Sequence, residues 1–401
     1  MFMKDLQIKK LITEEKKRQK SVINLIASEN YVSKDVLEAL GSELTNKYGE
    51  GYPGKRYYRG TKVVDQIEIL AQKRARKLFD IKESEWGVNV QPLSGSPANL
   101  AVYSALVPPG EKIMGMVLSH GGHLTHGQKV SMTGKFWNSV LYGVDKDSEL
   151  LDYEEIKKMA IAEKPKLIIA GFTAYAHIID FKKFREIADI SGAILMIDMS
   201  HFAGLVAGKA YPSPFPYADI VTTTTHKTLR GPRSALIFSR KNKTKINEKG
   251  KEISYSELID KTIIPGLQGG PHFNQIAAVA ITLKEASTPA FRKYAVQVKK
   301  NTKVLSDELA RRGWRIVEGG TESHLLRVDV WKNGNGISGR EAADKLEAEG
   351  IIVNENTIPF DTRSPMDPSG IRLGTAAETT RGKKEKDMKK IAERIDNILK
   401  K

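Results

Sequence analysis

The chain of 401 residues contains no cysteine. That absence removes disulfides, thiolate nucleophiles, cysteine-ligated zinc and iron–sulfur clusters together, and it fits a reducing compartment. Long apolar runs are missing as well: the longest candidate, residues 167–179, is too short to span a bilayer. The first twenty residues lack the apolar core of a secretory signal. These absences predict a cytoplasmic protein with no membrane partner. Acidic residues are also scarce, 48 against 64 lysines and arginines, for a net charge of +16. What is present, 40% hydrophobic and 28% charged residues, is an ordinary globular composition, and the length allows two or three domains.

The positive excess raises the question of a polyanion partner. Residues 1–20 carry a net +4, residues 240–252 another +4 and residues 381–401 a net +5, which is thirteen of the sixteen charges. Acids are interspersed among the bases in each stretch, the pattern of a solvated helix face or loop. No RNP-type aromatic motif, zinc finger or basic–heptad fusion accompanies them, so no specific nucleic-acid partner is expected.

From about Glu111 to Arg240, short β-branched runs alternate with helix-period segments. The predicted strands are 112–119, 166–173, 193–200, 219–226 and 234–240, several of them apolar on both faces as strands between helix layers are. Helical patterns fill 153–163 and 181–191, and a long amphipathic helix is predicted over 61–79. The alternation predicts an α/β domain with a largely parallel sheet. After the glycine- and proline-rich stretch 265–271 the character changes. A long helical region over about 274–312 leads to a strand at 325–330, a helix at 340–349, a short strand at 351–353 and a C-terminal helix, a smaller α+β domain.

Two motifs are set aside. Gly334-x-Gly336-x-x-Gly339 matches a dinucleotide-binding pattern, but the following helix opens with Ser338-x-x-Glu341, a capping box that already explains the local sequence. His120, His123 and His126 recur at three-residue spacing, which zinc would accept. The adjacent Gly121 and Gly122 make this a loop, and no carboxylate is near in sequence, so no metal is predicted.

Chemistry concentrates elsewhere. Four threonines, Thr222 to Thr225, finish a strand and are followed by His226 and a single lysine, Lys227, at the carboxyl edge where open α/β sheets bind ligands. A lysine desolvated in such a cleft loses its proton and attacks a carbonyl to form a Schiff base. Asp198 closes another strand, where a carboxylate can keep a pyridinium nitrogen protonated. Ser94-Gly95-Ser96-Pro97-Ala98-Asn99 opens a helical run, an anion cradle suited to phosphate. Lysine, aspartate and cradle together are the three attachments of pyridoxal 5′-phosphate.

Over nearly its whole length the chain resembles the serine hydroxymethyltransferases, which are fold-type I pyridoxal-phosphate enzymes. The resemblance rests on residues 26–31 (IASENY), 46–58 (NKYGEGYPGKRYY), the Ser94 loop, the 120–127 loop, the Asp198 strand, residues 222–233, residues 266–271 and residues 369–375 (SGIRLGT). It implies a large, mostly parallel α/β domain over 56–273, a small C-terminal α+β domain over 274–401, and an N-terminal helical arm over 1–55 that contributes to a dimer and its active site.

The resemblance also implies roles. Lys227 would carry the cofactor as a Schiff base, Asp198 would face the pyridine nitrogen, and His123 would stack on the ring. His201 and Thr173 would lie near the ring hydroxyl, with Thr224 also at the cofactor. Gly95 and Ser96 would hold the phosphate, with Gly269 and Gly270 supplied by the neighbouring subunit. Arg372 would clamp the substrate carboxylate, a task suited to a planar guanidinium. Ser28 and His226 would contact the amino acid or cofactor. Glu50 would move a proton at the serine hydroxymethyl group, with Tyr48 and Tyr58 beside it from the other subunit. Tyr57, Leu118, Gly122, Leu124 and Asn356 match positions that contact folate. The implied reaction is reversible transfer of the serine hydroxymethyl carbon to tetrahydrofolate, giving glycine and 5,10-methylenetetrahydrofolate, by a homodimer.

The chain departs from the family pattern at Ala376-Ala377-Glu378, at Ser234-Ala235 and at Ala176-His177; none of these removes a catalytic group, while His177 and Phe360 bear on the folate pocket. Two alternatives remain. A folate-independent aldolase of β-hydroxy amino acids, threonine aldolase-like, needs the lysine, aspartate and arginine but no folate site. A basic polyanion-binding protein explains the charge but not the paired strand-end residues.

Overall fold

The computed structural model describes residues 4–246 and 250–401, so residues 247–249 of the basic stretch 240–252 lie outside the described residues. Its centre is a seven-stranded sheet in the order Trp86–Asn89, Ala235–Arg240, Ile220–Thr224, Ile194–Asp198, Leu167–Ala170, Lys112–Met116, Asn138–Tyr142. The last five run parallel, and Ala235–Arg240 pairs antiparallel with both its neighbours. Every residue of Leu167–Ala170 and Ile220–Thr224 is buried, which accounts for their unbroken apolar or threonine character.

The helices cover the faces of this sheet for reasons visible in their ends. Asp180 accepts from the Lys183 amide, and Gly192, at φ 72°, closes the helix Phe181–Ser191. That helix buries Phe181, Phe184, Ile187 and Ala188 at helical spacing; burying a side chain such as Phe184 contributes roughly 2–3 kcal/mol. The long helical region expected over 274–312 is two helices, Phe273–Ala286 and Pro289–Arg311. Proline at the first position cannot continue the preceding helix, and Thr288 caps the new one by accepting from the Phe291 amide. The predicted strands are shorter by one to three residues at their ends, because the terminal residues already belong to loops at the sheet edge.

A second hydrophobic core joins Leu305, Leu326, Val328, Ile371, Leu373, Met388, Ile391 and Ile395 with Leu25 from the far N-terminus. It surrounds a four-stranded antiparallel sheet ordered Arg315–Ile316, Leu325–Asp329, Gly370–Gly374, Asn354–Asn356. The strand Ile23–Asn24 pairs in parallel with Ile351–Ile352, so the start of the chain is stitched to its last third. Glu378, one of the departures, is the anchor of that stitch. Fully buried, it accepts from the Asn24 amide and from Arg381 Nη1, both at 3.0 Å, and Lys383 Nζ lies 3.0 Å from its other oxygen. By contrast, the helix Leu6–Ser21 buries none of its residues and leaves Leu6, Leu11 and Ile12 exposed. Among the described residues no helix is long and apolar enough to cross a membrane.

Candidate active site

A cavity of about 270 Å³ opens at the carboxyl ends of Ile194–Asp198 and Ile220–Thr224, lined by Ser28, Gly95, His123, Thr173, Asp198, His201, Thr224, Lys227 and Arg372, with Asn99, His126, Phe172 and Ser200. Lys227 Nζ donates to Thr224 Oγ1 at 2.9 Å. Burial pushes its ammonium down to about 8, with the charges of Arg372 and Arg233 acting in the same direction and Asp198 opposing them. An amine so placed is partly free of its proton near neutrality, as attack on a carbonyl requires.

The four threonines are all buried and each hydroxyl is used. Thr222 donates to Asn99 Oδ1, Thr223 to the Thr224 carbonyl and Thr225 to the Pro232 carbonyl, while Thr224 receives Lys227. A buried run of apolar side chains would leave the strand end without these ties.

Asp198 is gripped from three sides. Its Oδ2 accepts from Asn99 Nδ2 at 2.9 Å and meets His126 Nε2 at 3.2 Å, and its Oδ1 accepts from the Ser200 amide at 3.0 Å. Burial alone would raise the carboxyl, but the His126 contact, with His123 and Asn99, outweighs it and holds the group far below the ordinary range. Asp198 is therefore a fixed negative charge. Gly171, at φ 124°, lets the next strand end approach: a Cβ there would stand 1.9 Å from the Asp198 carbonyl oxygen.

The helix Gly95–Leu106 aims its N-terminus at this cavity, and its first-turn amides have no partner within the helix. A Cβ on Gly95 would lie 2.7 Å from Thr224 Cγ2, so the cradle exists only with glycine there. Ser96, next in the helix, is exposed and outside the cavity lining. Burial lowers His123 to about 4, and its Nδ1 lies 2.7 Å from Thr125 Oγ1. His201 is buried, held well below its ordinary value by burial and by Lys227, with Nδ1 at 3.2 Å from His324 Nε2. Burial, then Lys227 and Arg233, lowers His226 to about 3, and its Nδ1 has no hydrogen-bond partner among the described residues. Arg372 donates from Nη1 to the Thr173 carbonyl at 2.8 Å and from Nε to Asn354 Oδ1 at 3.2 Å.

The three loop histidines take separate partners. His120 Nδ1 accepts from the Val144 amide, His123 meets Thr125 and His126 meets Asp198. Among the described residues no cluster of three His, Asp or Glu is arranged to hold a metal ion.

Among the remaining expected residues, Tyr48, Glu50, Tyr58, Gly269 and Gly270 form a second group, apart from this cavity. Tyr48 Oη donates to Glu50 Oε1 at 2.8 Å, the Gly270 amide donates to Tyr48 Oη at 3.4 Å, and the Tyr48 and Tyr58 rings meet edge-on at 5.0 Å. A Cβ on Gly269 would stand 3.4 Å from Tyr48 Oη and one on Gly270 2.8 Å from its ring. Tyr48 is 49% and Tyr58 43% exposed. Tyr57, 73% exposed, is tied to this patch only by its amide, 3.1 Å from the Glu50 carbonyl. Leu118, Gly122 and Leu124 sit on the histidine loop, where Gly122 receives the Thr173 hydroxyl on its carbonyl at 2.7 Å. Asn356 ends its short strand with its amide on the Thr357 carbonyl and joins neither group.

Asn99, His126, Ser200 and His324 were not among the expected residues. Asn99 stood in the Ser94 motif and His126 in the histidine series, so both were in view; their common bond to Asp198 required the fold.

A mostly parallel α/β sheet with a desolvated lysine and a fixed carboxylate at neighbouring strand ends, facing a helix N-terminus, fits the class of pyridoxal-phosphate-dependent enzymes of fold type I. The family model for serine hydroxymethyltransferase matches residues 1–395. A serine hydroxymethyltransferase of Desulfotalea psychrophila is 54% identical over 395 residues, covering 98% of this chain and 88% of that one. The chain belongs to the serine hydroxymethyltransferase family, pyridoxal-phosphate-dependent one-carbon transferases.

Proposed function

We propose that this chain interconverts serine and glycine with tetrahydrofolate as the one-carbon acceptor, and that the Lys227 cavity is where the amino acid reacts. The observation that carries the reading is the pairing of a lysine lowered to about 8 with the permanently ionised Asp198 across one cavity. The donor set fits pyridoxal phosphate. Lys227 would hold it through its amine, Asp198 would face its ring nitrogen, His123 its ring face, and His201, Thr173 and Thr224 its edge. Gly95 and Ser96 would hold its phosphate at the helix N-terminus. When bound, it supplies an electron sink for the charge left at Cα as the Cα–Cβ bond of serine breaks.

The protein's own groups do the rest. Arg372, oriented by Thr173 and Asn354, holds the substrate carboxylate; Ser28 lines the same cavity, and His226, beside Lys227 but outside the lining, would reach the amino acid or cofactor from there. Glu50 moves the proton of the serine hydroxymethyl group. Its partners Tyr48 and Tyr58, and the glycines Gly269 and Gly270, stand on the surface of the same chain, away from Lys227. That placement supports a homodimer in which each cavity is completed by the other copy. The bare helix Leu6–Ser21, with Leu6, Leu11 and Ile12 exposed, supports an N-terminal arm, residues 1–55, that seats on a partner. The two hydrophobic cores support a large and a small domain, expected over 56–273 and 274–401, but Ile276, Leu283, Phe291 and Val298 pack in the large-domain core, which moves the boundary past Val298. Tyr57, Leu118, Gly122, Leu124 and Asn356 would meet the folate. A cytoplasmic location fits the missing cysteines.

The deciding experiment compares serine cleavage by the purified holoenzyme with and without tetrahydrofolate. Strong stimulation by folate is expected. Equal rates would reject the transferase reading in favour of a folate-independent aldolase.

A further inference from the structure

Arg327 is the largest charged side chain in the protein that is completely buried, and no step above uses it. It lies on the strand Leu325–Asp329, whose antiparallel register with Gly370–Gly374 sets it directly opposite Arg372. Directly opposed residues share one face of a sheet, and like charges there repel. Arg327 is fully buried and Arg372, facing the cavity, is mostly buried, so the repulsion is only partly screened.

The counter-charge is Glu318. Its buried carboxylate accepts from Arg327 Nη2 through Oε1 and from the Ala176 amide through Oε2, the latter at 2.7 Å. Glu318 adopts a left-handed φ of 64°, uncommon for a residue with a side chain. That conformation is fixed by its own backbone, whose amide donates to Glu149 Oε2 at 2.8 Å and whose carbonyl meets His177 Nε2 at 2.9 Å. The Ala176 amide held by Glu318 is three residues from the Thr173 carbonyl that holds Arg372. One carboxylate thus cancels the charge opposite Arg372 and also pins the loop that orients it.

We propose that Glu318 is a positioning residue for Arg372, acting through Arg327 and the Thr173–Ala176 segment to keep the guanidinium set for an amino-acid carboxylate. The inference rests on the reading of Arg372 as the carboxylate clamp. Without Glu318, Arg327 is an unmatched buried cation that competes for the oxygens around it, and Arg372 loses its fixed direction.

Glu318→Gln keeps an oxygen for the Ala176 amide but removes the charge. In the holoenzyme, ligand binding is read from the cofactor's visible absorbance for two probes: glycine, and methylamine, which has the amine without the carboxylate. Glycine should bind about tenfold more weakly while methylamine stays within about twofold. In Glu318→Gln/Arg327→Leu, where both charges are gone, glycine should return to within about threefold of the parent. Equal weakening of both probes, or glycine unchanged or tighter in Glu318→Gln, overturns the inference. If the single variant does not fold, the double variant decides: glycine weakened about tenfold with methylamine spared would overturn it, because no charge imbalance remains. Arg372→Lys tests the clamp separately. Loss of glycine binding there with none in Glu318→Gln sinks only the positioning role, whereas unaltered glycine binding in Arg372→Lys sinks the clamp itself.

Discussion

Lys227 and Asp198 sit in a closed cavity that shifts both of them, whereas Tyr48 and Tyr58 meet solvent over nearly half their surface beside Glu50. In the cavity, burial lowers the lysine toward a usable nucleophile, while the His126 and Asn99 contacts overcome burial and hold the aspartate ionised. On the patch a hydrogen bond acts instead of burial: the Glu50 carboxylate pushes the Tyr48 hydroxyl up, beside the edge-on Tyr48–Tyr58 ring pair. A proton-transfer group needs a site closed to bulk water, and the patch is open in one copy of the chain. On the proposed homodimer, the contrast is between two half-sites, a closed cavity and an open patch that a second copy would cover.

The sharpest way to break this comparison is Lys227→Ala. It should abolish the visible absorbance of the bound cofactor and lower activity by about a thousandfold or more, with circular dichroism unchanged. Persistence of that absorbance would discard the cofactor assignment. Glu50→Gln should reduce kcat by about a hundredfold or more while leaving the absorbance intact, since Glu50 does not touch the cavity. If the half-sites belong to different copies, mixing equal amounts of the two dead variants and allowing exchange should restore about a quarter of the parent activity. No recovery, with mixed dimers demonstrated, would place both half-sites in one chain.

A smaller effect separates the regions by pH. Lys227 has a folded value near 8, below its unfolded 10.5, so the unfolded chain binds more protons in that window. In the cofactor-free protein this group therefore costs stability below pH 8, and the cost disappears as pH rises to about 10.5, an effect of at most about 3 kcal/mol. Lys227→Met should flatten that part of the profile in thermal melts across pH 7.5–10.5, and an unaltered slope would show the lysine to be solvated. The smallest expected effect concerns the surface: folate polyglutamate affinity should fall modestly with added salt, while glycine affinity stays nearly constant. Equal salt sensitivity would erase the distinction between an open and a closed half-site.

The strands that carry Asp198 and the four threonines were legible because both faces of each are buried, which writes an unbroken run into the sequence. The two outermost strands, Trp86–Asn89 and Asn138–Tyr142, were not, since they are short, include glycine or polar residues and lie at the sheet edges. Lys227 and Asp198 were readable by position at strand ends. Asn99, His126 and His324 escaped because each acts through a partner distant in sequence, as in the Asn99–Asp198 bond. The Glu318–Arg327 pair is similar: nothing local distinguishes a buried ion pair from two surface charges. Glu378 was noticed as an oddity, and only its bond to Asn24 explains it.

That bond and the pairing of Ile23 with Ile351 carry a consequence for synthesis on the ribosome. The first strand leaves the exit tunnel roughly 330 residues before its partner exists, so the C-terminal core cannot close while the chain is growing. The large sheet can form early from neighbouring βα units, but the two-stranded pairing of Ile23 with Ile351 waits with its first strand already made, and the four-stranded small sheet is also built late. Arg372, the proposed carboxylate clamp, lies in that late sheet, so on that reading substrate binding waits until nearly all of the chain has been translated.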